Sequence, residues 1–377
     1  MFATSLCALV LAAASAEPIR VGVYASFTGM TAPSGTSLRN GLRLAAEEIN
    51  AAGGVLGRKI ELVERDDGGV PDRGVAAVTE LIEREHVGFL FGPSYTAVAD
   101  ATTHIANERE IPLIVAAATG STVDGLFVRS PENYVFRLAL PDAAQAASVV
   151  REVVDVLRAR RPAVFYADDP FGRSGQAKLA TGFERRGVAP VYVRAFKGKS
   201  PELPSWIAEA RKAKPDAVVI YAVSADQAAF VLAAAAAGWK PPAVVGPWGI
   251  SQSAFLKQAG AAGEGAITVT CFIEEEAGTP AAQRFVDLYR RTFNERPMSA
   301  ASAAAQGYDA LHLLALAIQQ ARTTDASRVK TALENLRTRY VGALGEFEKP
   351  WSPTEHEAIR TGRVGVVRDG KIVAASR

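Results

Sequence analysis

The residues best suited to chemistry in this chain are hydroxyls and aromatic rings at the ends of strand-like runs. The stretch FGPSYTAVAD, Phe91 to Asp100, follows the apolar run VGFL and precedes a helical pattern. Gly92 and Pro93 break the strand, and Thr96 is placed to cap the next helix. The same helix start would offer unpaired backbone N–H groups, a partial positive charge and the hydroxyls of Tyr95 and Thr96 to an anion. Cap and anion loop are both open on this stretch alone. AAATGST, ADDPFGRSG and GPWGISQS follow other apolar runs in the same way.

Catalytic constellations fail one by one. Gly198-Lys199-Ser200 has the tail of a phosphate loop, but Val193 stands where its first glycine belongs. The glycines of GGVLG, Gly53 to Gly57, close a helix where a dinucleotide fingerprint would open one. Ser174 in FGRSGQ lacks the second glycine of a nucleophile elbow, since Gln176 holds that place. His86, His104, His312 and His356 are scattered without metal-ligand spacing. Ala77 replaces the closing glutamate that a calcium loop starting at Asp66 would need. No enzyme, no metal and no cofactor are expected.

These loops need elements to hold them. At 377 residues, with 49% hydrophobic side chains, the chain has material for two domains with substantial cores. Lys plus Arg is 42 against 40 for Asp plus Glu, a balance that argues against a nucleic-acid surface. From Ile19 onward, apolar runs such as VGFLF and PLIV alternate with amphipathic segments, and runs of that kind are strands buried on both faces of a parallel sheet. The winding restarts after RLALPDAAQ with PAVFYADD, VYVRAF, DAVVIYA, PAVVGPWG and GAITVTCF. Two doubly wound α/β lobes are expected, interleaved through several crossings because no linker rich in Pro, Gly and Ser separates them.

The first residues, MFATSLCALVLAAASA, carry a short apolar core ending in Ala14-Ser15-Ala16, the pattern of an export signal cut after Ala16. Cys7 falls inside it, so the mature chain keeps Cys271 alone, in the strand pattern ITVTCF, and has no internal disulfide. In open α/β sheets ligands sit at the carboxyl ends of strands, and in two-lobed proteins between the lobes. The loops quoted above are therefore the ones to watch.

In order along the chain, IRVGVYASFTG, GLRLAAEEINAAGGVLGRKIELVERDDGGVP, FLFGPSYTAVADA, IPLIVAAATGS, VFYADDPFGRSG, DAVVIYAVSADQAAFVLAAAAAGWKPP and QGYDALHLLALAI resemble the periplasmic solute-binding receptors of ABC importers, in the branched-chain amino-acid (Leu/Ile/Val-binding) family. The resemblance implies a type I fold of two Rossmann-like lobes with a multi-crossing hinge. It divides the chain into a signal at 1–16, an N-terminal lobe of 17–138 plus 272–345, and a C-terminal lobe of 139–271 plus 346–377. It implies a periplasmic monomer that binds a small carboxylate and hands it to the permease subunits of a transporter.

Carried over residue by residue, the resemblance puts the carboxylate grip on Thr96 and on Ala117 and Thr119, with Tyr95 and Ser34 beside them. Phe171 holds the place of the aromatic ring that closes from the second lobe. Trp248 stands where the family sends an acid to the ligand's ammonium. Ala303, where branched-chain receptors have a bulkier side chain, makes room for a ring. An ammonium without a carboxylate loses what offsets its desolvation. An aromatic acid or α-keto acid, such as phenylpyruvate or benzoylformate, is therefore expected. Hydrophobic amino acids are the alternative, with Asp226 as a substitute acid, and a ligand-sensing regulator on the same fold is the alternative of another class.

Overall fold

The computed structural model describes residues 17–120 and 132–375, so the expected export signal lies outside the described residues. The chain opens with β1 (Ile19–Ala25), α1 (Ala32–Ala51), β2 (Ile60–Asp66), α2 (Pro71–Glu83), β3 (Phe89–Phe91), α3 (Thr96–Glu108), β4 (Leu113–Val115) and β5 (Val135–Arg137). These strands form a five-stranded parallel sheet in the order β2-β1-β3-β4-β5.

The winding then begins again with α4 (Asp142–Arg151), β6 (Pro162–Ala167), α5 (Pro170–Glu184), β7 (Tyr192–Phe196), α6 (Leu203–Lys212), β8 (Ala217–Tyr221), α7 (Ser224–Ala236), β9 (Val244–Gly246), α8 (Ser253–Ala259) and β10 (Ile267–Thr270). Three helices follow, α9 (Pro280–Phe293), α10 (Ala301–Ala321) and α11 (Ala326–Glu334), then the short pair β11 (Tyr340–Val341) and β12 (Glu346–Phe347). A terminal hairpin, β13 (Arg363–Arg368) and β14 (Lys371–Ala374), completes a seven-stranded sheet of order β14-β13-β10-β9-β8-β6-β7. Its parallel part runs β7-β6-β8-β9-β10, the order of the first sheet over again, with the hairpin added antiparallel at β10.

Each sheet is buried on both faces, which is why its strands read as continuous apolar runs. In the first, Val21, Val23 and Phe89 face α1 and α10 while Val63, Leu90 and Leu113 face α2 and α3. In the second, Phe165 and Ile220 lie in one core and Val164, Val219 and Val269 in the other. Helices α1 and α10 approach so closely that a Cβ on Gly41 would stand 2.0 Å from the Ala304 carbonyl oxygen. Cys271 is buried, and that burial pushes its thiol up to about 11, as suits a packing residue.

One division of the chain differs from expectation. Phe347 and Trp351 lie in the first core, the Trp351 indole N–H donates to the Arg137 carbonyl at 3.1 Å, and His356 stacks on Phe136 at 4.1 Å. These contacts keep 346–359 with the first sheet. The chain re-enters the second sheet only at Arg363, where β13 pairs with β10, and not at 346.

Candidate functional site

Strand order reverses in the first sheet between β1 and β3, and in the second between β6 and β8. Loops leaving the carboxyl ends of such strands diverge to opposite faces and open a crevice. Here the two crevices face each other. One cavity, with about 420 Å³ of atom-free space including its mouth, is lined from the first sheet's loops by Ser34, Tyr95, Thr96, Ala117 and Thr119, and from the second's by Phe171, Ser224, Trp248 and Gln252.

The β3 exit is shaped by Gly92, whose φ of 126° suits glycine and whose Cβ, if present, would lie 1.9 Å from the Tyr24 carbonyl oxygen. Thr96 does not cap α3. The cap position falls on Tyr95, in extended conformation and without a side-chain cap bond, and Thr96 is the first helical residue. The residue is 2% exposed, and its hydroxyl has no hydrogen-bond partner among the described residues. The first-turn N–H groups of α3 and this hydroxyl are thus open to a guest. Ser94 is committed elsewhere: its Oγ accepts from the Ser26 N–H at 3.1 Å and donates to Ser26 Oγ at 3.3 Å, tying the β3 exit to the β1 exit.

Thr119 is also partly committed. Its carbonyl accepts from the Asp142 N–H at 2.8 Å, and its hydroxyl lies against the Asp142 carboxyl. Burial raises that carboxyl's pKa, and the hydroxyls of Ser174, Thr119 and Tyr221 counter the shift in part, the last donating to Asp142 Oδ1 at 2.8 Å.

From the second sheet, Asp169 caps α5 by accepting from the Gly172 N–H at 2.7 Å, and its other oxygen accepts from the Tyr95 hydroxyl at 2.8 Å. Burial, then the Asp169 charge, push the Tyr95 phenol up, so it stays protonated and donates. The Gln252 amide donates to Ser34 Oγ at 3.0 Å. Both bonds join the lobes across the cavity. The Phe171 ring lies 5.1 Å from that of Tyr221, and Trp248 sits in a short turn whose N–H donates to Gln145 Oε1 at 3.4 Å.

The structure therefore brings Ser34, Tyr95, Thr96, Ala117, Thr119, Phe171 and Trp248 to one cavity. Ala303 is not with them. It is fully buried in the first core, where α10 packs on α1, so its small size serves helix packing and not the cavity. Asp226 is outside too: it lines the wider groove beside the cavity mouth, with Lys199, and accepts from the Gly198 N–H at 3.2 Å. Among the described residues, no acidic or basic side chain lines the cavity.

Sequence reasoning missed Thr31, Ser224 and Gln252. Ser224 opens α7 after the run AVVIYAV, and a hydroxyl at the exit of β8 is the same signal that marks Thr96 at the exit of β3. Thr31 caps no N–H of α1, and its buried Oγ1 has no partner among the described residues.

Comparison with known proteins bears on this geometry. The sequence profile of the family described as periplasmic binding protein matches residues 18–371. The Leu/Ile/Val-binding protein homolog 7 of Brucella suis is 29% identical over 349 residues, covering 88% of this chain and 85% of that protein. A leucine-binding protein from Thermotoga maritima superposes with a TM-score of 0.83 at 23% identity, covering 95% of this chain and 98% of its own. An ABC-transporter solute-binding protein from Rhodopseudomonas palustris, in complex with benzoate, superposes with a TM-score of 0.81 at 22% identity over 95% of each chain.

Proposed function

The chain belongs to the periplasmic binding protein family, whose members are ligand-binding receptors and not enzymes, and from that premise we propose that it binds a small aromatic acid or α-keto acid for ABC import. The observation that carries the choice of ligand is the charge-free lining of the cavity. A carboxylate needs no cation where a helix N-terminus and a free hydroxyl meet it, as at Thr96. An ammonium has no such substitute here. Its desolvation costs several kcal/mol, and a ring face at Trp248 returns roughly 0.5 to 2 kcal/mol.

In this reading the ligand's carboxylate sits at α3, near Ala117 and Thr119, with Ser34 and Tyr95 at its side. Its ring lies between Phe171 and Trp248. The lobes are 17–138 with 272–359, and 139–271 with 363–375, and the mature protein is a periplasmic monomer released by cleavage after Ala16 that delivers its ligand to a permease. Among the described residues, no helix is long and apolar enough to cross a membrane. Titrating the protein with phenylpyruvate in competition with phenylalanine isolates the α-substituent. Tighter binding of phenylpyruvate is expected. Tighter binding of phenylalanine, or of leucine in the same format, overturns the reading in favour of amino acids.

A further inference from the structure

The cavity has a second anchor opposite in origin to the first. Ser224 is the first residue of α7, a 13-residue helix whose cap position, Val223, offers no side-chain bond. Ser224 is 3% exposed, lines the cavity, and its hydroxyl has no hydrogen-bond partner among the described residues. Thr96 stands in the same relation to α3, also 13 residues long and also without a side-chain cap. Two helix starts, one from each lobe, thus present to one small space a hydroxyl without a partner among the described residues and free N–H groups.

The two ends differ in charge. The first turn of α3 contains no acidic residue, whereas that of α7 contains Asp226. The acidic side chain in the first turn of α7 offsets the positive end of that helix, which makes it a weaker draw for a second anion than the start of α3. An uncharged oxygen does not depend on that field, and can accept from the free N–H groups or exchange a hydrogen bond with the Ser224 hydroxyl.

We infer that Ser224 and the first turn of α7 form a specificity subsite for a second, uncharged oxygen on the ligand, a ring hydroxyl or a keto group, while α3 takes the carboxylate. This rests on the aromatic-acid reading above. It assigns Ser224 to discrimination between ligands that share a carboxylate and a ring. A hydroxyl left unpaired once the ligand covers it penalises the ligand that lacks the matching oxygen, a stronger filter than added contact area.

The test uses two matched pairs, benzoate with 4-hydroxybenzoate and 3-phenylpropionate with phenylpyruvate, titrated by calorimetry into the wild-type protein, Ser224→Ala and Thr96→Ala. In the wild type, the oxygen-bearing member of at least one pair should bind about tenfold tighter. Ser224→Ala should erase that preference and leave the oxygen-poor member unchanged, whereas Thr96→Ala should weaken both members together. A preference that survives Ser224→Ala, an equal loss for both members, or a wild type that does not discriminate within either pair overturns the subsite while leaving the carboxylate reading in place. Failure of the wild type to bind any of the four acids overturns the carboxylate reading and the subsite with it.

Discussion

Thr96 and Thr119 were read as equivalent hydroxyls, and the geometry separates them. Thr96 has no hydroxyl partner among the described residues, whereas the Thr119 hydroxyl lies against the buried Asp142 carboxyl. Thr96→Ala should therefore weaken carboxylate binding by about 1 to 2 kcal/mol with little change in melting temperature. Thr119→Val should lower the melting temperature, because it strips a hydroxyl from a buried carboxyl. Calorimetry and thermal denaturation on the two variants check the split, and the reverse assignment would remove Thr96 from the site. Trp248 is the other decisive residue. It lies half-buried at the cavity in a turn held by Gln145 and Ser251, so Trp248→Glu places an acid where the lining now has none. The ratio of phenylpyruvate to phenylalanine affinity should fall by an order of magnitude or more. An unchanged ratio would mean that the α-substituent lies elsewhere.

The elements that aim these residues are held by carboxylates placed just behind the cavity. Asp66, at the end of β2, accepts from the Phe27 N–H at 2.8 Å, the Gly68 N–H at 2.9 Å and the Thr28 hydroxyl at 2.6 Å, and so pins the loop from β1 to α1. Burial alone would raise this carboxyl, but the Thr28 hydroxyl and the N–H groups of Gly68, Phe27 and Thr28 hold it at about 2. A depressed acid stabilises the fold above its unfolded pKa, about 3.9, and that contribution drains away as pH falls toward the folded value. The melting-temperature gap between wild type and Asp66→Asn should be full at pH 6 and narrow steadily below about pH 4. A gap independent of pH would show that the side chain acts through shape alone. Legibility followed the same lines. A helix after FGPSY was legible because Gly-Pro breaks the strand before it, although Thr96 is its first residue and not its cap. The sequence left β5 unread, a three-residue strand with too little length for any period to show. Ala303 was misplaced because a position carried over from a resemblance reports alignment, not which neighbour the side chain meets, and here that neighbour is the first core.

At the scale of the whole molecule, the two lobes meet through hydrogen bonds that span the cleft. Tyr95 reaches Asp169 and Gln252 reaches Ser34, each from one sheet's loops to the other's. The chain crosses between the sheets after β5, after β10 and before β13, so a closing motion, if ligand drives one, would pivot there and leave each core intact. A ligand favours the closed form only by the contacts it makes there and not in the open form. In the proposed site Trp248, Phe171 and Ser224 would supply such contacts, since they line the cavity from the lobe opposite Thr96. The cross-cleft bonds add to the closed state beside whatever Ser34 and Tyr95 lend the ligand's carboxylate. Removing both, in Tyr95→Phe with Gln252→Ala, should cost about 1 kcal/mol per bond in the closed form, so that ligand affinity falls through a higher open population. Small-angle scattering should then give the ligand-free double variant a larger radius of gyration than ligand-saturated wild type, and saturating ligand should bring the variant back to the compact value. A double variant whose radius and affinity both match the wild type would show that these bonds do not govern closure. A radius that stays large at saturation would show that the ligand binds one lobe without bringing the other onto it.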